Sequence, residues 1–586
     1  MFHVTCYMNK FLWKIGGEAG FGIMTTGLVF SKIASRSGYH IFDYTEYPSL
    51  IRGGHNTYEV LVSDTEVFSS KNEIDLLVCL NKETYENHRH RLTSESLVVF
   101  DEGDFKIEEN GFVKITVPFK KILQEEKAPV IMLNNIALGV SLSLMGWSLD
   151  FLNRVIEQIF AKKGQVIIDQ NKKLAQRGYD WIKNNYGNYV QNLFPKREAE
   201  KKLVLTGNEA FTLGAIVADC RLYASYPMTP SSSVLHTLAS FAQKTGMVVR
   251  HSEDEIAVIN TALGSSFAGV RSAVGTSGGG FALMVESVAL AGITEIPLVI
   301  FLAQRPGPAT GMPTWTEQGD LLFAVHAGHG EFPKIVLAPG DVEEMYQLAT
   351  KAFDLADIYQ TPVIIISDKF LSESHKSTSY KKFISFIKSY TPNRGKIVKE
   401  VQSPRSKVQS SKYLRYEITD NGISSMLIPG ILGYFYQANS YEHLEDGHTT
   451  EEAKERMKQV DKRNRKKITY LNNHFELPRV IGDKDRAEII FVSWGGNKGP
   501  IIEAIKLLEQ RGITTAFFHF THVYPLNEER LRPLFTNNKK YILIENNSQG
   551  QFGKLLRQET GIEIKDKLLK YDATRSYKKI RMGNAN

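Results

Sequence analysis

The sequence predicts an α/β protein of several domains, and three observations predict it. Short apolar runs alternate with stretches of helical period, the signature of strand–helix layers. Several of those runs end in glycine-rich or polar turns that open a helix. The chain has 586 residues, enough for about three or four domains. With 42% hydrophobic and 23% charged residues the balance is that of folded domains, which excludes general disorder.

The elements divide into four regions by composition. Residues 1–195 open with an apolar run, Leu12–Ile15, then a turn, Gly16-Gly17-Glu18-Ala19-Gly20-Phe21-Gly22. A helical pattern follows to Ser37, with Gly38 as its stop. Strand-like runs come at Asp75–Leu80 and Leu97–Phe100, and helical periods at Ile131–Met145 and Leu149–Lys163. Lys196–Lys202 is a charged linker. In residues 203–375 the runs Met247–Val249, Leu298–Ala303, Lys334–Ala338 and Pro362–Ser367 predict buried parallel strands with helices between them. Residues 376–485 read as a linker or insert, rich in Lys, Ser and Tyr and weakly periodic. There Lys454–Lys467 holds eight basic and two acidic residues, read as a solvated helix face or a phosphate-contacting arm. Residues 486–586 return to α/β: strand Ile489–Ser493, turn Trp494–Gly499, helix Ile501–Leu508, and a strand end at Leu543–Asn547.

Charge and cysteine exclude several functions. Lys plus Arg is 71 and Asp plus Glu 64, a net +7 that is mild for this length and does not indicate a nucleic-acid binder. The three cysteines, Cys6, Cys79 and Cys220, are far apart. They exclude a disulfide framework and a four-thiolate zinc or iron–sulfur site built from this chain alone. Val285–Ala303 is apolar but broken by Glu286, Glu295 and Pro297. It reads as a core helix and a strand, not a membrane span. Met1–Lys14 lacks the signal-peptide pattern, so a cytoplasmic setting is expected.

Local chemistry concentrates in the second region. Tyr226-Pro227-Met228-Thr229-Pro230 leaves a strand and enters a helix, with Thr229 expected as N-cap and Pro230 as the first helical residue. A hydroxyl there lies at the carboxyl end of a strand, the ligand-binding edge of an open α/β sheet. Ser252-Glu253-Asp254-Glu255 precedes a helical pattern and matches a capping box between Ser252 and Glu255. The alternative is a carboxyl group at a pocket edge, and one carboxylate cannot do both. Gly278-Gly279-Gly280 precedes a helix expected to start at Phe281. Arg305 follows a strand directly. It is either a surface ion pair or a fork for a carboxylate. The turn Gly16–Gly22 departs from G-x-G-x-x-G at Thr25. It serves tight packing or a phosphate at a helix N-terminus.

These segments together resemble the α subunit of a 2-oxoacid:ferredoxin oxidoreductase. The similar stretches are Gly207–Ala210, Tyr226–Ser232, Glu253–Ile256, Thr276–Gly280, Arg305–Thr314 and Gln318–Asp320. Gly16–Gly22 and Ser49–His55 resemble the family's γ domain, fused in front. Gly495–Pro500, Pro525-Leu526 and Glu545-Asn546 resemble a transketolase C-terminal-like domain. The resemblance implies a γ-type α/β domain at 1–195, a thiamine-diphosphate pyrimidine-binding domain at 203–375 and the transketolase-like domain at 486–586. It implies coenzyme-A-dependent oxidative decarboxylation of a 2-oxoacid, with the cofactor as electron sink. By its fusion type the acid is 2-oxoglutarate; pyruvate, broad specificity or a non-catalytic binding protein are the alternatives.

The resemblance also assigns residues. Glu255, with Glu253 as fallback, would meet N1′ of the aminopyrimidine, and Tyr226, Pro227 and Thr229 would line the cofactor. Arg305, Thr229 and Thr314 would hold the oxoacid, and Gly17, Gly20, Gly22 and Arg52 coenzyme A. A β subunit would supply Mg2+ and a [4Fe-4S] cluster and pass electrons to ferredoxin, in an αβ pair or a dimer of such pairs. Two departures from the family pattern are Met228 in place of Ile, and Gly422–Met426, which lacks the Pro and Arg that usually follow its Ser.

Overall fold

A computed structural model describes residues 10–49, 54–190, 200–398, 411–431 and 433–574. The chain forms two compact units. Of the described residues, one unit comprises those up to Leu205 together with Glu373–Ile384, the other Thr206–Ser372 together with those from Ser385 onward.

The first unit is built on an eight-stranded mixed sheet. In spatial order its strands are Val113–Thr116, Leu97–Phe100, Leu76–Cys79, Lys10–Glu18, His55–Ser63, His40–Glu46, Lys376–Ser379 and Lys202–Leu205. The first four run parallel and the rest antiparallel to their neighbours. The strand Lys10–Glu18 runs three residues beyond the apolar run that announces it. Gly16 and Gly17 stay in register with Thr57 and Asn56, so the turn is shorter than the sequence suggests. Gly16 is glycine because a Cβ there would lie 2.7 Å from the Thr84 side chain. Gly22, at φ 71°, leads into the helix Ile23–Arg36. That helix covers the sheet through Phe30, which stacks on Trp13 at 4.2 Å. Beneath it, buried Asp43 accepts from Ser31 Oγ at 3.0 Å, the Tyr58 hydroxyl and the His375 backbone N–H at 2.6 Å. Glu373–Ile384 is thereby bound into this unit, although composition assigns most of it to the 376–485 region.

The second unit holds two large sheets and two short two-stranded ladders, Ile397–Val398 with Met426–Leu427 and Ser411–Lys412 with Tyr434–Phe435. The larger has seven strands in the order His522–Tyr524, Ile335–Leu337, Pro362–Asp368, Leu298–Gln304, Ser272–Thr276, Leu222–Ser225 and Val248–His251. All are parallel except the first. Its central strands are buried on both faces, which explains their unbroken apolar runs. The expectation of a buried strand near 247–249 fails. Val248–His251 is the edge strand, and Val248 is 57% exposed. The smaller sheet has the order Arg479–Gly482, Thr515–Phe520, Ile489–Trp494, Lys540–Glu545 and Asp566–Leu569, parallel apart from its first strand. Glu344 joins the two sheets: His519 lies at 2.9 Å, Lys498 at 2.6 Å and Arg479 at 2.9 Å from its carboxylate.

The basic run belongs to the helix Ala453–Asn473, where Lys454, Arg456 and Lys458 are exposed as a solvated face requires, but the opposite face is buried. Gln459, Lys462, Arg463, Lys466 and Tyr470 are buried. Lys462 and Lys466 close on Glu295 at 2.7 and 2.6 Å, and all three are at most 1% exposed. Arg415 donates to the Glu295 carbonyl at 2.7 Å. Glu295 terminates the helix Gly278–Thr294 in a left-handed conformation, φ 53°. The loop that departs from the family pattern also meets this cluster, because Ser424 Oγ accepts from Lys462 at 2.9 Å. Sequence proximity gives no hint of it, since Lys462 lies 167 positions from Glu295.

Candidate active site at the carboxyl edge of the seven-stranded sheet

Four adjacent parallel strands present their carboxyl ends along one edge. Leu222–Ser225 leads into Tyr226–Thr229, Val248–His251 into Glu255, Ser272–Thr276 into the three glycines, and Leu298–Gln304 into Arg305. Open α/β sheets bind ligands at this edge. The Tyr226–Pro230 turn is held from behind by Asn208, which donates to the Pro230 carbonyl and the Ser233 hydroxyl, both at 2.7 Å. Asn208 is fixed in turn by a capping box at Thr206 and Glu209. This is the physical content of the Gly207–Ala210 motif.

Two expectations about helix starts are corrected here. Thr229 is not an N-cap. The helix begins at Ser232, because Ser231 turns back on the Met228 carbonyl with its N–H at 2.9 Å and its hydroxyl at 2.7 Å. The helix expected from Phe281 begins at Gly278. Its glycines make room for carboxyl groups. A Cβ on Gly278 would lie 2.5 Å from Asp320 Oδ2, and one on Gly280 would lie 2.5 Å from Glu255 Oε1 and 2.1 Å from Thr276 Oγ1.

The capping-box reading of Ser252 and Glu255 is likewise overturned. Asp254 is the N-cap, accepting from the Ala257 N–H at 2.7 Å. Lying two residues nearer the helix than Ser252, it satisfies the free N–H and releases Glu255. Glu255 is 4% exposed, and its Oε1 has no hydrogen-bond partner. Glu253, the fallback, is exposed. Asn208 Oδ1, Ser252 Oγ and Ser277 Oγ are also buried and unpartnered. Unpaired buried polar atoms are rare and costly. A carboxylate oxygen in this state fits a ligand that brings a donor N–H, and an aminopyrimidine protonated at N1′ is such a ligand.

Arg305 donates to the Thr229 carbonyl at 2.8 Å, so these two predicted residues are brought together. Thr314 is buried, Thr229 half-buried, and Tyr226 and Pro227 are exposed, with the Tyr226 ring 6.2 Å from that of His251. Asp320, which the residue assignments passed over, has its carboxyl pushed up to about 6 by burial, partly offset by the charge of Arg305. Glu317 is raised by burial and by Asp320. The glycine spacing held the missed signal, since Gly278 is small because Asp320 packs on it. In the first unit Gly17 is buried within a strand, while Gly20 and Gly22 form the turn, with positive φ at both. Arg52 lies outside the described residues. Among the described residues no group of three His, Cys, Asp or Glu could hold a metal ion, and no single helix is long and apolar enough to cross a membrane.

The fold is that of a multidomain α/β oxidoreductase, and comparison with known proteins specifies the family. A family model described as pyruvate flavodoxin/ferredoxin oxidoreductase, thiamine diphosphate binding, matches residues 213–462. A second, pyruvate ferredoxin/flavodoxin oxidoreductase, matches residues 12–181. The 2-oxoacid:ferredoxin oxidoreductase subunit alpha of Saccharolobus solfataricus is 33% identical over 618 residues, spanning 96% of this chain and 95% of its own. The 2-oxoglutarate synthase subunit KorA of Archaeoglobus fulgidus is 30% identical, spanning 60% of this chain and 89% of its own. Among solved structures, the 2-oxoglutarate:ferredoxin oxidoreductase from Magnetococcus marinus with 2-oxoglutarate, coenzyme A and succinyl-CoA bound is similar at a TM-score of 0.88. It is 28% identical, and the match covers 97% of each chain. The chain belongs to the 2-oxoacid:ferredoxin oxidoreductase α-subunit family. It is an oxidoreductase subunit of α/β architecture with a pyruvate ferredoxin/flavodoxin oxidoreductase domain and a thiamine-diphosphate-binding domain.

Proposed function

We propose that this chain is the α subunit of a 2-oxoglutarate:ferredoxin oxidoreductase, converting 2-oxoglutarate and coenzyme A to succinyl-CoA and carbon dioxide. The observation that carries the reading is the buried, unpartnered carboxylate oxygen of Glu255 in a space kept open by Gly280. The solved relative with 2-oxoglutarate and coenzyme A, and the 2-oxoglutarate synthase relatives, support the choice of acid.

Glu255 holds N1′ of the aminopyrimidine, and its placement at the start of a helix, anchored by Asp254, fixes the direction of that hydrogen bond. Tyr226, Pro227 and Thr229 wall the same end of the cofactor. When bound, thiamine diphosphate supplies the carbanion-stabilising electron sink that lets carbon dioxide leave. Arg305, aimed by its bond to the Thr229 carbonyl, takes the substrate carboxylate, with the Thr229 and Thr314 hydroxyls beside it. Gly20 and Gly22, with Arg52, serve the phosphates of coenzyme A at a helix N-terminus, and Gly17 packs the strand that leads into that turn. The division into residues 1–195, 203–375, 376–485 and 486–586 follows these roles. A β subunit holds Mg2+ and a [4Fe-4S] cluster and delivers electrons to ferredoxin, in an αβ pair or its dimer in the cytoplasm.

The test is Glu255→Gln in the assembled complex, with thiamine diphosphate binding measured beside coenzyme-A-dependent viologen reduction. Assembly should persist while turnover falls by at least about 10²-fold, the scale of a lost proton-transfer group. Near-normal turnover would make Glu255 a packing residue. Comparing 2-oxoglutarate with pyruvate in the same assay decides the acid, and a preference for pyruvate would overturn that part of the reading.

A further inference from the structure

The backbone of Asp320 is tied to the residue before Arg305 by a single side chain, and its carboxylate feels the Arg305 charge without forming an ion pair with it. Gln304, the residue before Arg305, accepts from the Asp320 N–H at 2.9 Å and is itself fixed by donating to the Ser367 carbonyl at 3.0 Å. The Asp320 carboxylate then lies against Gly278 at the start of the helix Gly278–Thr294, in the space a side chain would occupy. Glu255 lies against Gly280 in the same turn of that helix. The charge of Arg305 stabilises the Asp320 carboxylate, and Asp320 in turn raises Glu317, a repulsion that acts on both carboxylates. A 2-oxoacid bound through Arg305 adds a carboxylate beside Asp320. One positive charge then faces two anions where Asp320 is largely buried, and the more poorly solvated anion gains a proton.

We propose that Asp320 is a positioning residue for the substrate that takes up a proton from solvent when an anionic 2-oxoacid binds at Arg305. This rests on the reading that Arg305 holds the oxoacid carboxylate. No other bond changes: the proton goes to the Asp320 carboxylate, and its charge is replaced at Arg305 by that of the substrate. Below the titration of Asp320 the proton is already in place and binding costs nothing extra. Above it, each molecule bound must draw a proton from an increasingly dilute supply, so affinity falls as pH rises.

The experiment measures KM and kcat for 2-oxoglutarate between pH 6 and 8 in the complex with its partner subunit, for wild type, Asp320→Asn and Arg305→Ala. In the wild type KM should rise with pH, approaching about tenfold per unit if uptake is complete. Asp320→Asn should flatten that rise, while a merely structural loss would lower kcat or raise KM equally at every pH. A flat wild-type profile, or the wild-type slope retained in Asp320→Asn, overturns the inference while Arg305→Ala still raises KM. An unchanged KM in Arg305→Ala refutes the carboxylate reading and the inference with it. Should Asp320→Asn fail to assemble, Glu317→Gln removes the neighbouring carboxylate. It should move the KM rise to lower pH, and an unmoved rise would refute the role.

Discussion

Glu295→Gln removes one carboxylate from the buried cluster and keeps the shape of the side chain. In the wild type Glu295 is 0% exposed, and Lys462 and Lys466 close on its two oxygens at 2.7 and 2.6 Å. Arg415 donates to its carbonyl. The cluster already holds three cations against one anion, and the cost shows on the lysines. Burial, offset in part by Glu295, brings Lys462 down to about 7 and Lys466 down to about 8. Taking the anion away leaves the cations facing one another in a dry interior. Breaking a buried pair from one side costs about 3–5 kcal/mol. At about 2.1 cal/mol/K per residue, a unit of this size loses roughly 4–7 °C in Tm. The lysines have one escape, the release of a proton. Their folded pKa values lie below the unfolded 10.5, so the folded state binds fewer protons and stability rises with pH above about 7. In the variant these values fall further, and that slope begins at lower pH. The deficit against wild type should therefore narrow by about 1 kcal/mol for each lysine that titrates between pH 6 and 8. Urea unfolding at three pH values, with a double-mutant cycle using Lys466→Met, reads both effects. A loss under about 1 kcal/mol, or a deficit that does not change with pH, would refute this account of the cluster.

Two further predictions concern the site. Gly280→Ala places a methyl group 2.1 Å from Thr276 Oγ1 and 2.5 Å from Glu255 Oε1. It should cost about 1–3 kcal/mol and displace the Glu255 carboxylate. Gly279→Ala, whose methyl would meet nothing closer than 3.9 Å, should retain turnover, and equal losses in the two variants would contradict the cradle. Asp254→Ala should lower stability by about 1 kcal/mol through loss of the cap. Ser252→Ala should be close to neutral, because its hydroxyl is unpaired. The opposite ranking in urea unfolding would restore the capping box.

The strands of the second unit were legible because parallel strands buried on both faces must be apolar throughout. The site edge was legible because the residues following those strands are the polar ones. Two kinds of feature were not. A capping residue is chosen by a shift of two positions, and S-x-x-E and D-x-x-A are both present at 252–257; only the backbone decides that Asp254 wins. The run Lys454–Lys467 carries the pattern of a solvated helix, and nothing local marks Lys462 and Lys466 as buried. Their counter-charge lies in another helix, at a separation that periodicity does not sense. Asp320 belongs to the same class, since its significance is written in the absence of a side chain at Gly278.

The short excursion of the chain through Glu373–Ile384 bears on how the molecule can be taken apart. A cut between Leu205 and Thr206 looks natural from composition, but it leaves the strand Lys376–Ser379 on the second fragment. That strand pairs with both His40–Glu46 and Lys202–Leu205, so the first fragment would keep two open edges in its sheet. Unpaired edges recruit strands. Fragments made separately would self-associate, or would reunite by returning this one strand, in the manner of donor-strand complementation. The two units are thus laced by sequence, and dissecting the protein requires a transplanted strand as well as a cleavage point.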